Sequence, residues 1–436
     1  PVLALAALGA ASVSRGQSYE PLPTLEASQF LEPAFLKGAQ WTVQSAVTTD
    51  GLFNTYTIDT PWGIFVAPST TIAMIRIHEV GAIAQLEDVD KFAVAAGAAA
   101  QSVVDMGKGA FHLVTDPVGS AKNLGDGVSR LFGQVTRGAK RTEEQVSYSP
   151  TPGTTPTPST GDKVVSTSRG LAKSLLGVNR AQREWAHKLG VDPYTSNPVL
   201  RNELEQVADF DAGGRFSTRL LPLGIVGTVL GTANTVNNII YSEDPDQIQT
   251  LNETRLKEMG VSSEDSVAFR LNKAYTLSIQ TRLIASLYAL EGVEGRAAFV
   301  KRAAGVEAEV DARFYQESAY MAEIYREKEA PILSIADMPG ACVFARGDRF
   351  ACLYPVDYVV WTEGVAASAE KINQQVAAEH PSARREVWLT GTVSPRTQKE
   401  LEARRWEVHP KSMYVLPAKL ATPAPTPSST PAPAAP

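Results

Sequence analysis

Cys342-Val343-Phe344-Ala345-Arg346-Gly347-Asp348-Arg349-Phe350-Ala351-Cys352 reads as two four-residue strands closed by a Gly-containing turn. Counting outward from a three-residue turn pairs Ala345 with Arg349 and sets Cys342 opposite Cys352. Directly opposite Cβ atoms lie about 4.5–5.5 Å apart. A disulfide needs about 3.5–4.5 Å, which a non-hydrogen-bonded pair can approach. An oxidising compartment favours that bond; the other outcome is two buried thiols. Arg346-Gly347-Asp348 also resembles a short integrin-binding tripeptide, but its role as the hairpin turn is the stronger reading.

Downstream of the hairpin, period-two and helical segments alternate. Val356 to Trp361 is predicted as strand, Val365 to Glu379 as helix and Glu386 to Thr390 as strand. Pro395 to Arg405 is then predicted as helix and Trp406 to His409 as strand. Strand–helix–strand–helix–strand predicts a small α/β module over 336–416 with at least one right-handed crossover.

Upstream, 164–335 reads as nearly all helix. Leu271, Ala274, Tyr275, Ser278, Ile279, Leu283, Leu287 and Leu290 recur at steps of three and four. Phe299, Ala303, Val306, Val310, Phe314 and Met321 continue the pattern. These predict a central helical bundle.

Residues 28–140 form a third unit, strands first and helices after. Thr42, Val43, Ala46 and Val47 lead into the turn Asp50-Gly51, and Leu52 to Thr60 alternates. Ile64-Phe65-Val66 follows a second turn. Ser69-Thr70-Thr71 can cap a helix with Ile72, Ile75, Glu79 and Ile83 at helical spacing. Another helix opens at Thr115-Asp116-Pro117, with Val118, Leu124, Val128, Leu131 and Phe132 on one face. The expected fold class is therefore α+β, mainly helical. It comprises a small N-terminal β-hairpin or meander followed by helices, a central helical bundle and a small C-terminal α/β module.

The remaining segments are low in complexity or apolar. Residues 1–18 match the back half of a secretory signal peptide, an apolar run and then small residues; a short buried helix is the other reading. Residues 141–163 are expected to be a Thr/Pro-rich linker, and 417–436 a disordered Pro/Ala tail. Leu220 to Ala233 carries no charge, and Gly224, Gly227 and Gly231 stand at steps of three and four. That spacing lets helices approach closely, but the run is short for a membrane span, which needs about 20 residues. A buried helix and a membrane-contacting one both remain open.

Composition narrows the function classes. The chain has 436 residues, 44% hydrophobic and 20% charged, enough for about three ordinary domains. Lys plus Arg is 41 against 47 Asp plus Glu, a net charge of −6, which argues against a nucleic-acid partner. Two cysteines cannot build a cysteine-type zinc module. The histidines lie outside any H-E-x-x-H, and Glu184 with His187 is a single E-x-x-H. No G-x-S-x-G elbow is present, and Gly107-Lys108-Gly109 lacks phosphate-loop spacing. Asp209 to Gly213 falls short of a calcium loop. Glu307, Glu309 and Asp311 read as solvated helix carboxylates. No cofactor and no metal are therefore expected, and no catalytic residue is assigned.

Two stretches carry a resemblance. They are Leu113-Val114-Thr115-Asp116-Pro117-Val118 running to Gly127–Gly133, and Gly177-Val178-Asn179 running through Trp185 to Asp192-Pro193-Tyr194-Thr195-Ser196-Asn197-Pro198. About a fifth of the chain thereby resembles an uncharacterised family of exported proteobacterial envelope proteins. The resemblance implies a bacterial, exported setting and carries over no site.

The leading expectation is an exported cell-envelope protein, periplasmic or outer-membrane-associated, acting as a non-enzymatic scaffold or interaction protein. Its partners would be other envelope proteins or the outer-membrane surface. One alternative is a hydrolase-like enzyme whose site is assembled from dispersed residues, with His112, Asp116, Asp357 and His409 the first to test. The other is a membrane-active protein using 220–233.

Overall fold

A computed structural model describes residues 19–95, 127–132, 178–211 and 232–412. The signal-like start, His112, Asp116, the linker, most of 220–233 and the Pro/Ala tail lie outside the described residues.

The N-terminal strands are β1 (Leu25–Glu26), β2 (Thr42–Val43), β3 (Ala46–Thr49), β4 (Asn54–Thr60) and β5 (Gly63–Ala67), with the short helix α1 (Pro33–Leu36) before β2. All pairings among them are antiparallel, and β4 is the hub. It pairs with β3 at Thr48↔Thr55, with β2 at Val43↔Ile58 and with β5 at Tyr56↔Ala67. Asn54, Tyr56 and Ile58 are buried, following the two-residue period of a strand with one face on a core. Helix α2 (Thr70–Ala95) starts where Ser69 Oγ accepts the Ile72 N–H.

The helices that follow are α3 (Gly127–Phe132), α4 (Arg180–Leu189), α5 (Pro198–Asp211), α6 (Thr232–Ser242), α7 (Pro245–Glu258), α8 (Ser263–Arg270), α9 (Leu277–Ala289), α10 (Arg296–Ala303) and α11 (Glu309–Lys328). Three antiparallel strands come next, β6 (Ile332–Ile335), β7 (Ala341–Ala345) and β8 (Arg349–Tyr354). Then come β9 (Tyr358–Val359), α12 (Glu363–Glu379), β10 (Arg384–Leu389), β11 (Thr392–Val393), α13 (Pro395–Ala403) and β12 (Trp406–His409). Strands β8, β10 and β12 are parallel, and the sheet order is β12-β10-β8-β7-β6. Strands β9 and β11 form a separate parallel pair.

The expectation of a mainly helical protein with a central bundle is corrected by this arrangement. Among the described residues twelve strands in three sheets stand beside the helices, so the architecture is mixed α/β. Periodicity identified the helices of 164–335 but not what their apolar faces meet. Helix α11 packs on α9 and also lies on the C-terminal sheet. Ser318 Oγ accepts the Ala341 N–H of β7 at 2.6 Å and donates to the Leu353 carbonyl of β8 at 2.6 Å. The Tyr325 ring meets Trp388 of β10 edge-on at 5.9 Å. Helices α4 and α5 pack instead on α2, through Ile83, Leu86, Trp185, Leu189 and Leu204. One continuous apolar core joins Val47 and Tyr56 of the first sheet, Leu283 and Phe314 of the helices, and Leu353 and Trp388 of the last sheet.

In the β7–β8 hairpin Ala345 lies opposite Arg349 and Cys342 opposite Cys352, the register required by the count from the turn. Gly347 and Asp348 take positive φ, 87° and 55°, to close it. The cysteines form a disulfide with Cα atoms 4.1 Å apart, inside the sheet and fully buried. Among the described residues no helix is long and apolar enough to cross a membrane.

Candidate functional site

The interior holds an ionic knot. Asp50, in the β3–β4 turn, accepts the N–H groups of Leu52 and Phe53 on Oδ1 at 3.0 and 2.7 Å. This Asx-type contact shapes the turn, and Gly51 supplies its positive φ of 94°. The other oxygen of Asp50 takes Arg130 of α3 at 3.1 Å, and Arg130 Nε donates to Asp311 of α11 at 3.3 Å. Burial pushes both acids up, against the pull of Arg130, and Asp311 reaches about 6.

Asp357, between β8 and β9, accepts the backbone N–H of Asn54 at 2.9 Å and of Thr70 at 3.0 Å. The Thr70 hydroxyl continues to Tyr56 at 2.8 Å. Burial pushes Asp357 up to about 6, although both backbone hydrogen bonds favour its charged form. Glu317 of α11 is pushed up to about 8 by burial, with Arg313 and the Thr71 hydroxyl pulling the other way.

A second arm runs along α2. Arg76 meets Glu79 at 2.8 Å and Glu309 at 3.0 Å, and Ser196 donates to Glu309 at 2.7 Å. Arg313 also meets Glu309, at 2.9 Å. Glu79 in turn accepts the Thr195 hydroxyl and the Asn197 amide. Burial raises Glu309, but Arg313 and Arg76 outweigh that and hold it down at about 2.

Beside the knot lies an apolar cavity of about 80 Å³, between α12 and one face of β8, β10 and β12. Alternation places Cys352 and Tyr354 of β8, Val387 and Leu389 of β10 and Trp406 of β12 on that face. Leu52, Val128, Phe314 and Val356 also line it, within three residues of Asp50, Arg130, Asp311 and Asp357 respectively.

Of the four residues first proposed for mutation, Asp357 enters the knot. His409 lies on β12 instead, its ring stacked on Trp388 at 3.9 Å and its Nε2 3.3 Å from Glu407. The structure does not join those two into one site. His112 and Asp116 lie outside the described residues. In place of the solvated carboxylates expected, Asp311 is buried and Glu309 half-buried, each in one arm of the knot. Glu184 is exposed and pairs with Arg180, and His187 packs on Tyr241. Sequence reading passed over Arg76, Arg130, Glu317 and the structural role of Glu79. A signal existed for the two glutamates. Glu79 stands in the apolar stripe of Ile72 and Ile83, and Glu317 between Phe314 and Met321 in that of α11. A carboxylate on a buried stripe has to find partners.

Among the described residues no group of three or more His, Cys, Asp or Glu side chains could hold a metal ion. No protein-family model, curated protein or solved structure matches the chain.

Proposed function

We propose that the chain is an exported cell-envelope protein, periplasmic or outer-membrane-associated, that acts as a non-enzymatic scaffold or interaction protein. The observation that carries the non-enzymatic part is where the buried carboxylates spend their hydrogen bonds. Asp50 shapes its own turn, Asp311 and Asp50 close on Arg130, Asp357 holds two backbone N–H groups, and Glu309 closes on Arg76 and Arg313. A general acid or base must instead reach a proton of the substrate. Here the charges tie the β3–β4 turn, α2, α3 and α11 to one another. Shifted acids often mark active sites, but structural ion networks shift them too.

Export is supported by the Cys342–Cys352 disulfide, a bond that persists in oxidising compartments. The signal-like start and the resemblance to exported proteobacterial envelope proteins favour the same setting. Partners on this reading are other envelope proteins or the outer-membrane surface.

The test is fractionation of bacteria expressing the protein, followed by a hydrolase screen of the purified protein on model ester, peptide, glycoside and phosphate substrates. The protein is expected in the osmotic-shock or outer-membrane fraction and inactive in the screen. Retention in the cytoplasm would overturn the envelope assignment. Turnover abolished by Asp311→Asn or Asp357→Asn in a folded protein would overturn the non-enzymatic one. Co-sedimentation with liposomes that Val226→Asp abolishes would favour a membrane-active protein instead.

A further inference from the structure

We propose that the cavity between α12 and the β8–β10–β12 face is a binding site for a small uncharged apolar ligand, the end of an alkyl chain. Its shape follows from α12. Val365 and Ile372 of that helix reach the strand face, but the turn between them presents Ser368 and Ala369. These two small side chains line the cavity together with Tyr354, Val387 and Trp406. Native interiors seldom leave a gap larger than a water molecule.

The lining selects the chemistry. None of the described residues lining the cavity is charged. A water held there would need two to four polar partners, and the walls are almost wholly apolar. The volume of about 80 Å³ is roughly half that of an engineered ~150 Å³ apolar cavity that stays dry and binds benzene. A few methylene groups suit that space, and a charged head group does not, because an unpaired charge in an apolar site is strongly disfavoured. One wall is special. Val128 and Phe132 come from α3, which the Arg130 link to Asp50 and Asp311 holds against the core. The ionic knot therefore positions part of the lining.

Trp406 is buried in the wall and serves as reporter. The probe is 1-bromobutane, whose bromine quenches indole fluorescence on contact, titrated into the full chain. Saturable quenching is expected in the wild type and should largely disappear in Trp406→Phe. Ala369→Phe, which fills the cavity, should weaken binding at least about tenfold while leaving the protein folded. Butyrate and butylammonium should compete at least about tenfold more weakly than n-butane or butanol. If Ala369→Phe does not fold, Val393→Phe at the half-buried part of the lining replaces it. Quenching that rises linearly without saturation would overturn the site. So would saturable quenching that survives Trp406→Phe, or that survives a folded cavity-filling variant unchanged.

Discussion

The carboxylate of Asp357 accepts the backbone N–H of Thr70, 287 residues earlier in the chain, at 3.0 Å. The same oxygen, Oδ2, takes the N–H of Asn54 at 2.9 Å. One side chain after β8 thus satisfies the start of β4 and the first turn of α2. A helix N-terminus has N–H groups without intrahelical partners, and a carboxylate there is favoured by the helix dipole. Asp357→Ala should strand both donors and cost on the order of 2–4 kcal/mol, whereas Asp357→Asn, which keeps an acceptor, should cost less. Urea unfolding of the two variants measures the difference, and equal losses would deny the role of the acceptor.

Glu317 makes stability depend on pH in an uncommon direction. Its value is about 8 in the folded protein against an ordinary 4.5, so the folded state holds the proton more tightly than the unfolded chain. The resulting stabilisation is fully present below about pH 4.5 and is lost as the pH rises through 8. Asp311 and Asp357, each near 6, act in the same sense at lower pH. Glu317→Gln cannot ionise. Its melting temperature should match the wild type near pH 5 and exceed it above pH 8, a gain on the order of 1–3 kcal/mol. A difference that is flat from pH 5 to 9 would refute the assignment.

Arg130 faces the buried Asp311 and the half-buried Asp50. Arg130→Met leaves Asp50 and Asp311 without that cation, and breaking a buried pair costs about 3–5 kcal/mol. The loss should be largest at pH 8 and shrink toward pH 5, where Asp311 is protonated and no longer needs a counter-charge. Thermal melts of wild type and variant at the two pH values test this. A loss that grows on acidification would contradict the role given to Asp311.

The disulfide closes a short loop, ten residues apart in sequence. The loop-entropy estimate for that separation is roughly 2–3 kcal/mol. Cys342→Ser with Cys352→Ser should lose about that much stability. Protein prepared without reductant should show no free thiol under denaturing, non-reducing conditions, and two free thiols would exclude the bond.

Counting residues outward from Arg346-Gly347-Asp348 is enough to pair Cys342 with Cys352. A hairpin turn sets the register, and a two-residue side-chain period leaves no freedom once the register is set. Helix α11 carried a different kind of information. Val310, Phe314 and Met321 say that one face must be buried, and they say it identically whether that face meets helices or a sheet. Only the tertiary structure shows that it meets both, packing on α9 and reaching the sheet through Ser318 between Ala341 and Leu353. The ionic knot is more remote still from the sequence. Asp50, Arg130, Asp311 and Asp357 share no spacing, because hydrogen bonds and charges act through distance in space and the chain brings these four together from segments tens to hundreds of residues apart. What the residues alone did mark was Glu79 and Glu317, each a carboxylate set in an apolar stripe. Burying a charge requires partners or a proton, and the fold alone determines that Glu79 finds Arg76, Thr195 and Asn197 while Glu317, beside Thr71 and Arg313, is pushed by burial to hold its proton up to about 8.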